Sequence, residues 1–134
     1  MSLDPINPED LGKPQGFSHG QLAKEGGRVL FVAGQIGIDE GEAPARPLVE
    51  QFGEALRRVI RVVEAAGGHA ADIGRMTVYV TNMELYKSSR KALGGVWKSR
   101  MGTHYPAMAL VEVKSLVDHG AVVEIEATAV VGAK

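Results

Sequence analysis

Pro47-Leu48-Val49-Glu50-Gln51-Phe52-Gly53-Glu54-Ala55-Leu56-Arg57-Arg58-Val59-Ile60-Arg61-Val62-Val63-Glu64-Ala65-Ala66, followed by Gly67-Gly68, is the stretch that decides the architecture. Leu48, Phe52, Ala55, Leu56, Val59, Ile60 and Val63 recur at helical spacing and predict a helix with one apolar stripe. Glu50, Glu54, Arg57, Arg58, Arg61 and Glu64 fall on the other side. Pro47 suits the first helical turn, where its missing N–H costs nothing, and Gly67-Gly68 suits the stop. Glu54 and Arg58 form an i,i+4 pair worth a few tenths of a kcal/mol, so that charged side reads as a solvated face without function.

Such a one-sided helix needs a sheet to cover, and the flanking segments supply it. Upstream, Arg28 to Asp39 is an apolar, β-prone run interrupted by Gly34 and Gly37, which mark a bulge or bend. Glu25-Gly26-Gly27-Arg28 reads as a hairpin turn after a short strand over Phe17 to Ala23. Residues 1–15 are rich in proline and polar groups and read as an arm or loop, and Glu40 to Ala45 as another loop. Downstream, Met76, Val78 and Val80 alternate with polar residues over Arg75 to Thr81, a strand. Asn82 then caps a second helix over Glu84 to Arg100, with Leu85, Tyr86, Ser89, Leu93, Val96 and Trp97 inward. Gly94-Gly95 inside it costs about 1 kcal/mol per glycine, which a close neighbouring backbone would explain. Strands over Pro106 to Lys114 and Ala121 to Val131 end the chain.

The order is therefore β-β-α-β-α-β-β in a single domain over residues 1–134, an α+β fold with one sheet packed on two helices. Glu124, Glu126 and Thr128 point to the helix-free face, and Met108 and Leu110 are expected to make it partly apolar. A monomer seldom exposes such a patch, so that face predicts a subunit contact.

Composition narrows the function. The 134 residues include 15 Lys+Arg against 16 Asp+Glu, without the basic excess of a constitutive nucleic-acid binder. The absence of cysteine excludes disulfides, thiolate nucleophiles, iron–sulfur clusters and Cys-type zinc sites. No run approaches the roughly 18 apolar residues of a membrane span, and Met1 to Pro8 lacks the features of a signal peptide. A cytoplasmic protein is expected. Gly34-Gln35-Ile36-Gly37 has neither the spacing nor the lysine of a phosphate loop. His19, His69, His104 and His119 show no metal-ligand spacing, so no metal is expected. Ser18 and His19 lack a nucleophile-elbow context. Glu124 and Glu126, two apart on one strand face, read either as a solvated pair or as a carboxylate in a cleft that moves a proton or orients a water.

Four fragments in this order carry a resemblance: Gly16-Phe17-Ser18-His19, Val29 to Asp39, Tyr105-Pro106-Ala107, and Val123-Glu124-Ile125-Glu126-Ala127. Together they resemble the RidA/YjgF/UK114 (Rid) family from about residue 14 to residue 131. The resemblance implies a chorismate-mutase-like fold, a homotrimer with a central β-barrel, and clefts between subunits. It also implies a cofactor-free hydrolysis of small imines and enamines to keto acids and ammonia, alongside older labels as endoribonuclease or translation inhibitor.

The resemblance further implies a substrate site at Phe17, Ala33, Gly34, Arg90, Tyr105, Met108 and Leu110, with Glu126 as the catalytic carboxylate. Phe17 keeps the family's aromatic ring without its hydroxyl, Ala33 stands where a serine is usual, and Leu110 where a cysteine is usual. Met108 occupies the position of the arginine that grips the substrate carboxylate. A thioether cannot make that bidentate contact, a loss of roughly 1.5–3 kcal/mol. Arg90, where many members have asparagine, could return the charge from another wall, with Arg100 and His19 as weaker substitutes; equally, Arg90 could be a solvated residue between Lys87 and Lys91. The expected ligand is a small carboxylate or an apolar imine-like metabolite. Two other readings are a non-catalytic metabolite-binding regulator and, ranked last, an RNA-cleaving protein.

Overall fold

The apolar stripe of the long helix meets its sheet as its spacing requires. In the computed structural model, which describes residues 2–132, helix α1 spans Leu48–Ala65, with Pro47 just outside as its N-cap. Leu48, Phe52, Ala55, Leu56, Val59 and Val63 are all buried. Each of the large side chains among them contributes roughly 1.5–3 kcal/mol of hydrophobic stabilisation. Gly67, with φ +88°, ends the helix in the left-handed conformation that glycine adopts without a steric penalty.

The strands are β1 (Leu3–Ile6), β2 (Gly20–Ala23), β3 (Arg28–Ile36), β4 (Ile73–Val80), β5 (Ala107–Glu112) and β6 (Val123–Val131). The main sheet has the order β3-β6-β4-β5, with β4 and β5 parallel and the other pairs antiparallel. Two shorter helices, α2 (Met83–Ser88) and α3 (Arg90–Met101), make the crossover that a parallel pair requires. The core lies between the sheet and α1 and α3, built from Met76, Val78, Val80, Val123, Ile125, Leu93 and Trp97 among others.

Four expectations need correction. The N-terminal arm is not all loop: Leu3–Ile6 pairs antiparallel with Gly20–Ala23 in a separate two-stranded sheet, and Glu9–Leu11 forms a 3-10 turn. The second helix is two helices, because Ser89 adopts a non-helical conformation and closes α2 before α3 starts. Leu85 is 41% exposed rather than inward, and nothing lies within 4 Å of a Cβ added at Gly94 or Gly95, so no close backbone explains them. Finally, Met108 pairs with Met76 and Leu110 with Val78, so both belong to the helix-covered face. The helix-free face carries Arg75, Thr77, Tyr79, Glu124, Glu126 and Thr128 on β4 and β6. Its exposed apolar groups are Val29 (59%), Phe31 (80%) and Val111 (41%) on the flanking strands.

Candidate functional site

Two glycines on β3 and its exit shape one part of the site. The register of β3 against β6 shifts between Val32 and Gln35, which makes Ala33-Gly34 a bulge. A Cβ on Gly34 would run into the Glu124 carboxylate, so glycine here is what lets that carboxylate lie against the strand. A Cβ on Gly37 would overlap the backbone of Gln51 in the first turn of α1. The buried Gln51 amide fastens the same corner, donating to the carbonyls of Arg46 (2.8 Å) and Gly120 (2.9 Å) and accepting from the Val122 N–H (3.0 Å). Arg58 of α1 donates to the carbonyls of Ile36 (3.1 Å) and Ile38 (3.0 Å), so one residue of the charged face anchors the end of β3.

Glu126 lies exposed on the helix-free face beside this bulge. The Tyr79 hydroxyl donates to its Oε2 at 2.9 Å, and the bond to a carboxylate holds the phenol above its usual pKa. Among the described residues Oε1 has no hydrogen-bonding partner. A hollow of about 170 Å³ adjoins it, lined by Phe31, Arg75, Thr77 and Thr128 with Glu126 itself.

The second group of residues gathers around Tyr105. The Ser18 N–H donates to the Pro106 carbonyl (2.9 Å), and the Ser18 hydroxyl to the Tyr105 carbonyl (2.6 Å). Gln21 adds a second bond to the Tyr105 carbonyl at 3.0 Å. These ties hold Phe17 and His19, in edge contact at 5.3 Å, against the start of β5, where they share a hollow with Arg75 and Met108. Tyr105 stacks on Trp97 with ring centroids 5.9 Å apart and planes 6° from parallel. The Trp97 N–H donates to the His104 carbonyl at 3.2 Å, so the indole is satisfied as it is buried.

Behind that stacked pair lies a hollow of about 190 Å³ between α2, α3 and the β5 edge. Met108 and Leu110 form one wall, Leu93, Trp97 and Tyr105 another, and Arg90 and Tyr86 stand at the α2–α3 junction. Burial raises the Tyr86 pKa, and the positive charge of Arg90 acts against that rise.

The structure thus brings Arg90, Tyr105, Met108 and Leu110 together, with Phe17 at the other end of Met108. It keeps Ala33, Gly34 and Glu126 apart from them, around β3 and the helix-free face. Sequence reading missed Tyr79 as the partner of Glu126, Glu124 as the neighbour of Gly34, and Trp97 and Leu93 as lining residues. The alternation of β4 signals Tyr79, whereas the contact of Gly34 with Glu124 depends on a register shift that no local pattern announces. Among the described residues, no three His, Asp or Glu side chains are grouped as metal ligands, and no helix is long and apolar enough to cross a membrane.

The model of the family described as Endoribonuclease L-PSP matches residues 13–131. A RutC family protein of Pyrococcus horikoshii is 33% identical over 126 residues, covering 92% of this chain and 94% of its own. A 2-iminobutanoate/2-iminopropanoate deaminase of Dermatophagoides farinae is 27% identical over 129 residues, covering 95% and 92%. Among solved structures, the Rid-family protein YyfB of Yersinia pestis, of unknown function, superposes with a TM-score of 0.82 at 30% identity, over 96% of this chain and 98% of its own. TdcF of E. coli with bound serine gives 0.66 at 29% identity over 90% and 92%.

Proposed function

The chain belongs to the endoribonuclease L-PSP family, the Rid or YjgF/UK114 proteins, and from that premise we propose that it is a cofactor-free hydrolase of small C=N compounds. Its cleft is completed between subunits of a homotrimer in the cytoplasm, and its substrate preference is moved away from small 2-imino acids. The single observation that carries the reading is Glu126, a carboxylate with one oxygen held by Tyr79 and the other without a partner among the described residues, able to accept a hydrogen bond from water. The carboxylate takes a proton as the water oxygen adds to the imine carbon. It returns that proton to nitrogen, then relays the proton of the adduct's hydroxyl to the same nitrogen as the C–N bond breaks, leaving a carbonyl and ammonia.

The helix-free face supports assembly. Phe31 and Val29 stand largely exposed on it, and burying each against a second copy contributes roughly 1.5–3 kcal/mol. Assembly would bring the Glu126 face of one subunit to the Tyr105 side of another, uniting the two groups that a single chain holds apart. The resemblance to a 2-iminobutanoate/2-iminopropanoate deaminase supports imine chemistry, and the serine bound to TdcF supports small-molecule binding. The shifted preference follows from Met108, whose thioether offers a carboxylate no hydrogen-bond donor.

The test is ammonia release from the imine that an amino-acid oxidase generates from phenylalanine. Wild-type protein is expected to accelerate release, and Glu126→Gln to lower kcat by about 100-fold or more. Equal rates for wild type and Glu126→Gln would contradict the role of this carboxylate. Binding without any ammonia release would make the protein a metabolite binder instead.

A further inference from the structure

The hollow behind Tyr105 has one charge and a large apolar body, and that asymmetry identifies what fits it. Its walls are Leu93, Trp97, Tyr105, Met108 and Leu110, and its cation is Arg90. Among the described residues Arg90 forms no salt bridge, so its charge has no carboxylate partner there. Arg90 is also the first residue of α3, where the helix dipole disfavours a cation, and the first turn of α3 contains no acid to offset it. An anion docked there relieves both costs. Gly94 also lines the hollow, and no atom lies within 4 Å of where its Cβ would stand.

We propose that the α3 hollow binds a carboxylate with an aryl or arylalkyl body, the carboxylate on Arg90 and the ring against the Trp97–Tyr105 stack and the Met108–Leu110 wall. The charge that grips the ligand thus stands on α3 rather than on β5, and the volume beside Met108 takes an aromatic group. This rests on the reading of the hollow as half of a small-molecule cleft, but not on the hydrolysis. A thioether beside an aromatic ring adds a favourable sulfur–aromatic contact, which an arginine at position 108 would replace with a charge.

Trp97 is the one tryptophan in the sequence, so its fluorescence reports the hollow directly. The experiment titrates the full-length protein with 3-phenylpropionate, with propionate, and with the uncharged 3-phenylpropan-1-ol. The expected result is saturable binding of 3-phenylpropionate at least about tenfold tighter than either of the others, because each lacks one of the two recognised parts. Arg90→Gln, at an exposed position the fold does not depend on, is expected to weaken 3-phenylpropionate about 10- to 100-fold, with Arg90→Lys intermediate. Propionate binding as tightly as 3-phenylpropionate, an unchanged Kd in Arg90→Gln, or no saturable binding at all would overturn the proposal. Because the readout is binding, a protein that binds 3-phenylpropionate yet releases no ammonia refutes the hydrolase reading alone.

Discussion

At the scale of single residues, Met108 and Arg90 share one hollow, and the proposed substrate preference rests on them. Moving a cation from strand to helix changes where an anion sits, and an apolar side chain in the vacated position favours a bulkier, less polar body attached to that anion. Met108→Arg is therefore expected to raise kcat/KM for 2-iminopropionate by about 10-fold or more, measured as ammonia release, because a bidentate grip returns. No gain, together with efficient turnover of that imine by the wild type, would show that the missing arginine does not govern preference. The sequence points to both residues but puts Met108 and Leu110 on the wrong sheet face. Alternation states that successive residues oppose each other without stating which set faces the helices. The parallel pairing of β5 with β4, with no turn to set it, determines that. Arg90 stays open between solvent and cleft in the sequence for a related reason: the end of α2 at Ser89 sets the direction of α3, and Lys87-Ser88-Ser89-Arg90 contains no strong helix breaker.

Among the elements, α1 is the most legible, since its stripe, its proline and its paired glycines agree and the observed bounds differ from the expected ones by a single residue at each end. β1 is hidden, because a four-residue strand containing Asp4 and Pro5 has little strand character and exists only by pairing with β2. The charged side of α1 does more than face water. Arg57 and then Arg58 hydrogen-bond Glu54 and lower its pKa from 4.5 to about 2. The folded state therefore gains stability from this carboxylate above pH 4.5 and loses it as the pH falls toward 2, because folded protein binds the proton less readily than unfolded chain. With solvent screening the contribution is about 1 kcal/mol. Glu54→Gln is expected to remove that part of the acid sensitivity, read as the change in denaturation midpoint between pH 5 and pH 3. An unchanged pH dependence would mean that the Arg58 contacts to Ile36, Ile38 and Asp39 anchor β3 without help from Glu54.

For the whole molecule, the chain presents two groups of residues on different surfaces: Glu126 with Tyr79 on the helix-free face, and the Arg90 hollow beside α3. Sequence reading groups these residues only through the family resemblance, because no pattern in one chain describes a junction between copies. If the halves meet across a subunit contact, two differently damaged proteins should repair each other. Glu126→Gln removes the carboxylate and leaves the hollow intact. Gly94→Leu obstructs the hollow, with open space for its Cβ, and leaves the carboxylate intact. The deciding measurement is ammonia release from the phenylalanine-derived imine after the two inactive variants are unfolded together in equal amounts and refolded. A shared cleft predicts recovery of about a quarter of wild-type activity, the fraction of junctions that combine one intact hollow with one intact carboxylate in a randomly mixed cyclic assembly. A mixture as inactive as its separate components, although wild-type protein treated in the same way regains full activity, would contradict it.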